Sequence, residues 1–197
     1  MNILRIDSSA RYDDSVGRDL ASRLIERLNP DGSANVVTRD LGAGVSLLDE
    51  PTVGAAFTPP EARTGAQVDL LAEGQELIDE LAAADAVVIA MPIYNFSAPA
   101  SLKAWADLVA RVGVTFKYTE SGPVGLLADR PVYLIVTSGG VPIDSPADFA
   151  TGWIRQFLGF IGISDVTLVE AGELNTDPER AVAAARDVVA GLQLTAA

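Results

Sequence analysis

The chain has 197 residues, of which 27 are acidic and 14 basic, giving a formal charge of −13. That balance disfavours nucleic acid and anionic membranes as partners. The lack of any cysteine or histidine excludes disulfides, thiolate metal sites, cysteine nucleophiles, serine–histidine triads and most zinc or non-haem iron centres.

Residues Ile3 to Asp7 form a short β-rich run ending at Ser8-Ser9, and an acid this early argues against a secretory leader. Leu20, Leu24, Ile25 and Leu28 carry helical spacing through 16–28. Asn29-Pro30-Asp31-Gly32 stops that helix. A second strand is expected over 35–40. From Leu41 to Gly65 no clean period appears, so a long loop with a short helical piece over 52–57 is expected. A helix over 68–83 follows. Ala86 to Met91 is nearly continuous in apolar residues, as strands buried on both faces of a parallel sheet are. The spacing then predicts a helix over 101–112 and a small hairpin from 115–118 and 122–127. A strand over 131–137, a helix over 150–161, a strand over 166–170 and a helix over 178–194 complete the chain.

Alternating strands and helices force right-handed crossovers and a parallel sheet covered on both faces. Five such strands suggest the order 2-1-3-4-5 in one α/β domain spanning 1–197. About half of the residues are hydrophobic, enough for a sizeable core. No apolar run is long enough to cross a bilayer, and a cytoplasmic protein is expected.

Ligands of open α/β sheets bind beyond the carboxyl ends of the strands, where the strand order reverses. Here that point lies between the first and third strands. The loops to inspect are therefore 8–17, 92–98 and 138–145. The first holds Ser8, Ser9 and Ser15, with Gly17 opening a helix whose N-terminus favours anions. Ser15 also suits a simple helix cap. Neither G-x-x-x-x-G-K-[ST] nor G-x-G-x-x-G is present, which points to a mononucleotide. In the second loop, Pro92-Ile93-Tyr94-Asn95-Phe96 can pack against a flat ring and hydrogen-bond its edge. In the third, Ser138-Gly139-Gly140 lets backbone amides approach closely.

The run Pro92-Ile93-Tyr94-Asn95-Phe96, the run Gly113-Val114-Thr115-Phe116-Lys117-Tyr118-Thr119-Glu120-Ser121-Gly122-Pro123 and the segment 157–162 resemble the FMN-dependent NADH azoreductases. These belong to the NAD(P)H:quinone oxidoreductase group. The resemblance spans the chain in order and implies a flavodoxin-like fold and a homodimer with FMN at the subunit interface. It implies that Ser9, Ser15, Val16 and Gly17 hold the phosphate, and that Ile93, Tyr94, Asn95 and Phe96 line the isoalloxazine ring. Ser138, Gly139 and Gly140 would contact the ring's polar edge. Tyr118 and Phe160 match aromatics flanking the substrate space, with the partner subunit contributing. Two departures stand out. Gly17 stands where the family often has a hydroxyl, and the third loop lacks a residue, often basic, after Ser138.

A flavin would carry the hydride chemistry that a chain without histidine or cysteine lacks. The expected cycle is ping-pong: NADH or NADPH delivers hydride, then a quinone or azo compound takes two electrons in the same space. No side chain is assigned as the catalytic acid, since solvent can supply protons; Tyr118 is the candidate donor. No metal is expected: Asp13-Asp14 and Asp144, Asp148 and Asp165 lack ligand spacing. Two rivals are a flavodoxin-type electron carrier, which strong acidity also suits, and a domain that has lost its cofactor.

Overall fold

A computed structural model describes residues 1–193. Strands β1 (Asn2–Asp7), β2 (Asn35–Asp40), β3 (Ala86–Pro92), β6 (Val132–Thr137) and β7 (Val166–Ala171) form one parallel sheet in the order β2-β1-β3-β6-β7. Counting only these strands, the order is the expected 2-1-3-4-5. The remaining strands, β4 (Phe116–Thr119) and β5 (Gly122–Gly125), pair antiparallel as a separate hairpin. Helices are α1 (Val16–Leu28), α2 (Glu50–Phe57), α3 (Gly65–Ala83), α4 (Ala100–Val109), α5 (Phe149–Ile161) and α6 (Pro178–Gly191).

The pleat of β3 divides the core. Val87, Ile89 and Met91 point to one face and meet Leu77, Leu81, Leu102, Trp105 and Ile154 of α3, α4 and α5. Val88 and Ala90 point to the other and meet Leu20, Leu24, Ala185 and Val189 of α1 and α6. Every residue of β3 and β6 is buried, as their unbroken apolar runs require.

Local chemistry moves several element ends. Within the expected 41–65 loop, Asp49 accepts from Thr52 N–H at 2.9 Å and starts α2 two residues before the expected piece. Thr64 and Gln67 form a capping box that starts α3 at Gly65 instead of Val68. Helix α4 stops at Val109, three residues before the expected Val112. There the Thr115 hydroxyl donates to Val109 O at 2.8 Å and accepts from Arg111 N–H at 2.9 Å, so the chain turns off the helix. The last helix is observed to Gly191; the expected end at Leu194 lies outside the described residues. Among the described residues no helix is long and apolar enough to cross a membrane.

Candidate functional site

The ends of β1, β3 and β6 open on a crevice of about 250 Å³. Ser9, Ser15 and Val16 line it from the first loop, Ile93 and Tyr94 from the second, Ser138 and Gly139 from the third. Sheet pairing brings these loops together. Asp7 is in register with Ala90, and Pro92 with Thr137, so the three strands end side by side. Beyond them Ser8 N–H donates to Ala90 O at 3.1 Å and Ile93 N–H to Thr137 O at 2.8 Å.

At one end the crevice suits an anion. Ser15 caps α1, accepting from Arg18 N–H at 3.4 Å. The first two helical amides, of Val16 and Gly17, make no hydrogen bond among the described residues, as helix geometry dictates. Gly17 itself is buried rather than crevice-lining. A Cβ there would stand 3.5 Å from Ala90 Cβ and 3.6 Å from Thr137 Cγ2, so its small size lets α1 lie close on the sheet. The expected side-chain-free contact at residue 17 therefore reduces to one amide. Arg11 and Asp14 stand at the mouth, 3.8 Å apart and exposed.

The second loop brings Ile93 and Tyr94 to the crevice wall. Tyr94 and Ser97 exchange backbone hydrogen bonds of 2.9 and 3.1 Å across a two-residue turn. Its central residues Asn95 and Phe96 both have positive φ, +50° and +72°, as primed hairpin turns require. A left-handed phenylalanine costs about 1–2 kcal/mol, strain of the kind that collects at binding sites. Asn95 and Phe96 project from this turn as exposed side chains and do not line the crevice within one chain. Tyr94 instead turns its hydroxyl to the first loop, 3.4 Å from Ser9 Oγ, and accepts from Ala10 N–H at 3.2 Å.

The third loop is closed from behind. Ser138 Oγ accepts from Val141 N–H at 2.9 Å, so that hydroxyl shapes its own turn. Leu174 N–H and Asn175 N–H donate to Ser138 O and Gly139 O at 3.1 and 2.9 Å. A Cβ on Gly140 would meet nothing within 4 Å, and the residue is outside the crevice lining. Leu174 and Asn175 do line it, as do Arg11, Asp14 and Thr137; reading only three loops missed the loop after β7. The same strand-end rule, applied to every parallel strand, would have found it.

Tyr118 and Phe160 lie elsewhere. They flank Phe116, whose ring is 5.4 Å from Tyr118 and 4.3 Å from Phe160 between centroids. Phe160 is in the last turn of α5, whereas Phe149, in the first, donates its N–H to Phe96 O at 3.0 Å beside the crevice. Along α5 these two residues are about 16 Å apart. A wider groove of about 690 Å³ runs along α3 past Arg63, Gln75 and Arg111. It touches no strand end and lacks the convergent loops, so its size does not make it the site.

A family model described as flavodoxin-like fold matches residues 1–192. The chain is 48% identical over 198 residues to FMN-dependent NADH:quinone oxidoreductase 1 of Hahella chejuensis (strain KCTC 2396), covering 99% of this chain and 96% of that one. It is 50% identical over 180 residues to FMN-dependent NADH:quinone oxidoreductase 1 of Jannaschia sp. (strain CCS1), covering 91% and 92%. Among solved structures, azoreductase AzrA superposes with a TM-score of 0.87 at 25% identity, covering 96% and 97%. An FMN-dependent NADH-azoreductase from Bacillus anthracis str. Ames Ancestor, solved in complex with FMN, gives 0.84 at 25%, covering 95% of each chain.

Proposed function

This chain belongs to the flavodoxin-like fold family, and on that premise we propose that it is an FMN-dependent oxidoreductase passing two electrons from NADH or NADPH to quinones or azo compounds. The observation that carries the reading is the crevice at the strand-order reversal, lined by the helix-capping Ser15 and Val16 of the first loop and by Ile93 and Tyr94 of the second. The residues present fit FMN. Unpartnered amides at Val16 and Gly17, with the hydroxyls of Ser9 and Ser15, supply phosphate donors. Ile93 and Tyr94 would pack the ring from the crevice wall and Asn95 and Phe96 from the exposed turn that follows them, while Ser138 and Gly139, with Gly140 next to them, would bring the third loop to its polar edge.

FMN, when bound, supplies the hydride chemistry; the chain supplies position and electrostatics. The α1 N-terminus holds negative charge in place. The Tyr94 turn fixes a flat apolar wall, and backbone amides of the third loop favour negative charge as it develops. Protons come from solvent or from the Tyr118 hydroxyl.

A homodimer belongs to the same reading. Phe160 lies about 16 Å along α5 from Phe149, whose N–H meets Phe96 O, and Tyr118 packs with Phe160 around Phe116, which supports their serving a partner's site. A cytoplasmic location follows, since the nicotinamide donor is a cytoplasmic metabolite. One domain over 1–197 suffices for all of this.

An absorbance spectrum of the purified protein, followed by anaerobic NADH, tests the proposal. Flavin bands that bleach on NADH and return on adding a quinone are expected. A protein that stays colourless after FMN addition overturns it. Flavin that bleaches only with an added reductase turns the reading to an electron carrier.

A further inference from the structure

Arg18, the third residue of α1, uses its whole guanidinium on the protein itself. Nε donates to Arg11 O at 3.1 Å, and Nη2 donates to Ser9 O at 3.0 Å and Asp40 Oδ1 at 2.7 Å. Nη1 donates to Asp7 Oδ2 at 3.2 Å and Asp40 Oδ2 at 3.1 Å. A guanidinium has five N–H donors, and all are engaged. The Tyr12 ring covers the group, with the guanidinium carbon 4.5 Å from the ring centroid. The turn after β2 is shaped around it: a Cβ on Gly42 would fall 2.6 Å from Ser9 O and 3.0 Å from Arg18 Nη2. Burial alone would weaken the group's hold on its proton. The hydrogen bonds it donates to Asp40 and the charges of Asp7 and Asp40 outweigh this and raise its pKa.

Two consequences concern the phosphate end of the crevice. The peptide joining Ser9 to Ala10 is held at both ends, its carbonyl by Arg18 and its N–H by the Tyr94 hydroxyl. Because C=O and N–H of a trans peptide point in opposite directions, pulling the carbonyl back aims the amide at the Tyr94 hydroxyl, which belongs to the crevice wall. The second consequence is electrostatic. Asp7 is buried at the end of β1 and its Oδ1 has no hydrogen-bond partner among the described residues. Among the described residues its charge and that of Asp40 are paired with the guanidiniums of Arg5 and Arg18.

We propose that Arg18 is a positioning residue that makes the site select a phosphorylated flavin: it aims the Ser9–Arg11 loop and cancels the carboxylates of Asp7 and Asp40 behind it. With every donor engaged, it acts without touching the phosphate. This rests on the FMN reading above.

The test compares Kd for FMN and for riboflavin, by flavin fluorescence, in the wild-type protein and in Arg18→Met, Arg18→Lys, Asp40→Asn and the Arg18→Met/Asp40→Asn pair. Circular dichroism of each apoprotein reports folding. Arg18→Met is expected to weaken FMN on the order of 30-fold, the scale of one uncompensated charge in protein, while riboflavin changes less than about threefold. The double variant, with one carboxylate removed as well, recovers part of the FMN affinity. Should Arg18→Met fail to fold, Asp40→Asn decides: tighter FMN at unchanged riboflavin supports the charge balance, and unchanged or weaker FMN overturns it. If FMN and riboflavin weaken equally in Arg18→Met, or neither changes, the proposal fails while the cofactor reading stands. A wild-type protein that binds no flavin overturns the cofactor reading and this proposal with it.

Discussion

Gly125→Ala tests how the hairpin carrying Tyr118 is attached. Gly125 packs against the end of α5, where a Cβ would fall 2.1 Å from Gly162 N, 2.3 Å from Ile161 C and 2.4 Å from Gly162 Cα. All three are backbone atoms, so no rotamer change relieves the contact. Gly162 itself caps α5 at φ +109° and is held by bonds to Gly159 and Leu158. The substitution therefore costs whatever it takes to lift the hairpin from α5. That loss includes about 2–3 kcal/mol of Phe116 burial, about 1 kcal/mol for the Leu127 N–H bond to Ile161 O and about 0.5–1 kcal/mol for the Phe116–Phe160 pair. Allowing for partial relaxation, about 3–4 kcal/mol is expected, or a fall in Tm of about 10 °C for a chain this size. Thermal unfolding by circular dichroism measures it, with Gly152→Ala as the control. Gly152 is exposed within the same helix with no neighbour within 4 Å of its Cβ position. Alanine there is expected to stabilise by up to about 1 kcal/mol. A Gly125→Ala protein melting within about 2 °C of the wild type would refute the close-packing argument. So would a Gly152→Ala protein that falls as far.

Gly139→Ala places a Cβ 2.6 Å from Asn175 Nδ2, while the Asn175 main chain stays bound to Gly139 O at 2.9 Å. The amide side chain must swing away, and FMN affinity should fall about tenfold in a fluorescence titration, with Tm little changed; an unaltered Kd counts against a ligand role for this loop. Asp129 accepts from Ser164 Oγ at 2.5 Å and from the amides of Ser164, Asp165 and Arg130, which hold its pKa down to about 2. A depressed carboxylate stabilises the fold above its ordinary pKa of 3.8, and that contribution disappears as pH falls through about 2. Asp129→Asn should cost about 1 kcal/mol at neutral pH after solvent screening. Its denaturation midpoint should converge with that of the wild type between about pH 5 and 2, and a constant difference would assign the effect to something other than charge.

Periodicity and burial are local signals, and they made the architecture legible. The apolar run 86–91 could only be a doubly buried strand, and alternation with helices left one economical sheet order. That order located the crevice before any residue was assigned to it, because strand ends at a reversal have nothing packed over them. Local capping was harder to see. Thr115 ends α4 by reaching back to Val109, a contact that hydrophobic spacing does not register. Asn95 and Phe96 follow the crevice-lining Tyr94 on a two-residue turn whose positive φ values hydrophobic spacing does not register, and both are exposed. Asn175 came to the site from the far edge of the sheet, through hydrogen bonds to the third loop.

The sequence by itself thus determined the parallel sheet and the place of the crevice, and its composition left carboxylates, lysine, tyrosine or a bound cofactor to do any chemistry. Only the tertiary structure decided the charge balance around that crevice. Arg18 is ordinary in sequence, one cation in an amphipathic helix. Its meaning depends on β1 and β2 lying side by side, so that Asp7 and Asp40 are in register and both face one guanidinium. Likewise, only the length and direction of α5 separate Phe160 from the crevice of its own chain. Local residue types set which groups are available, but long-range register and helix direction set which of them meet.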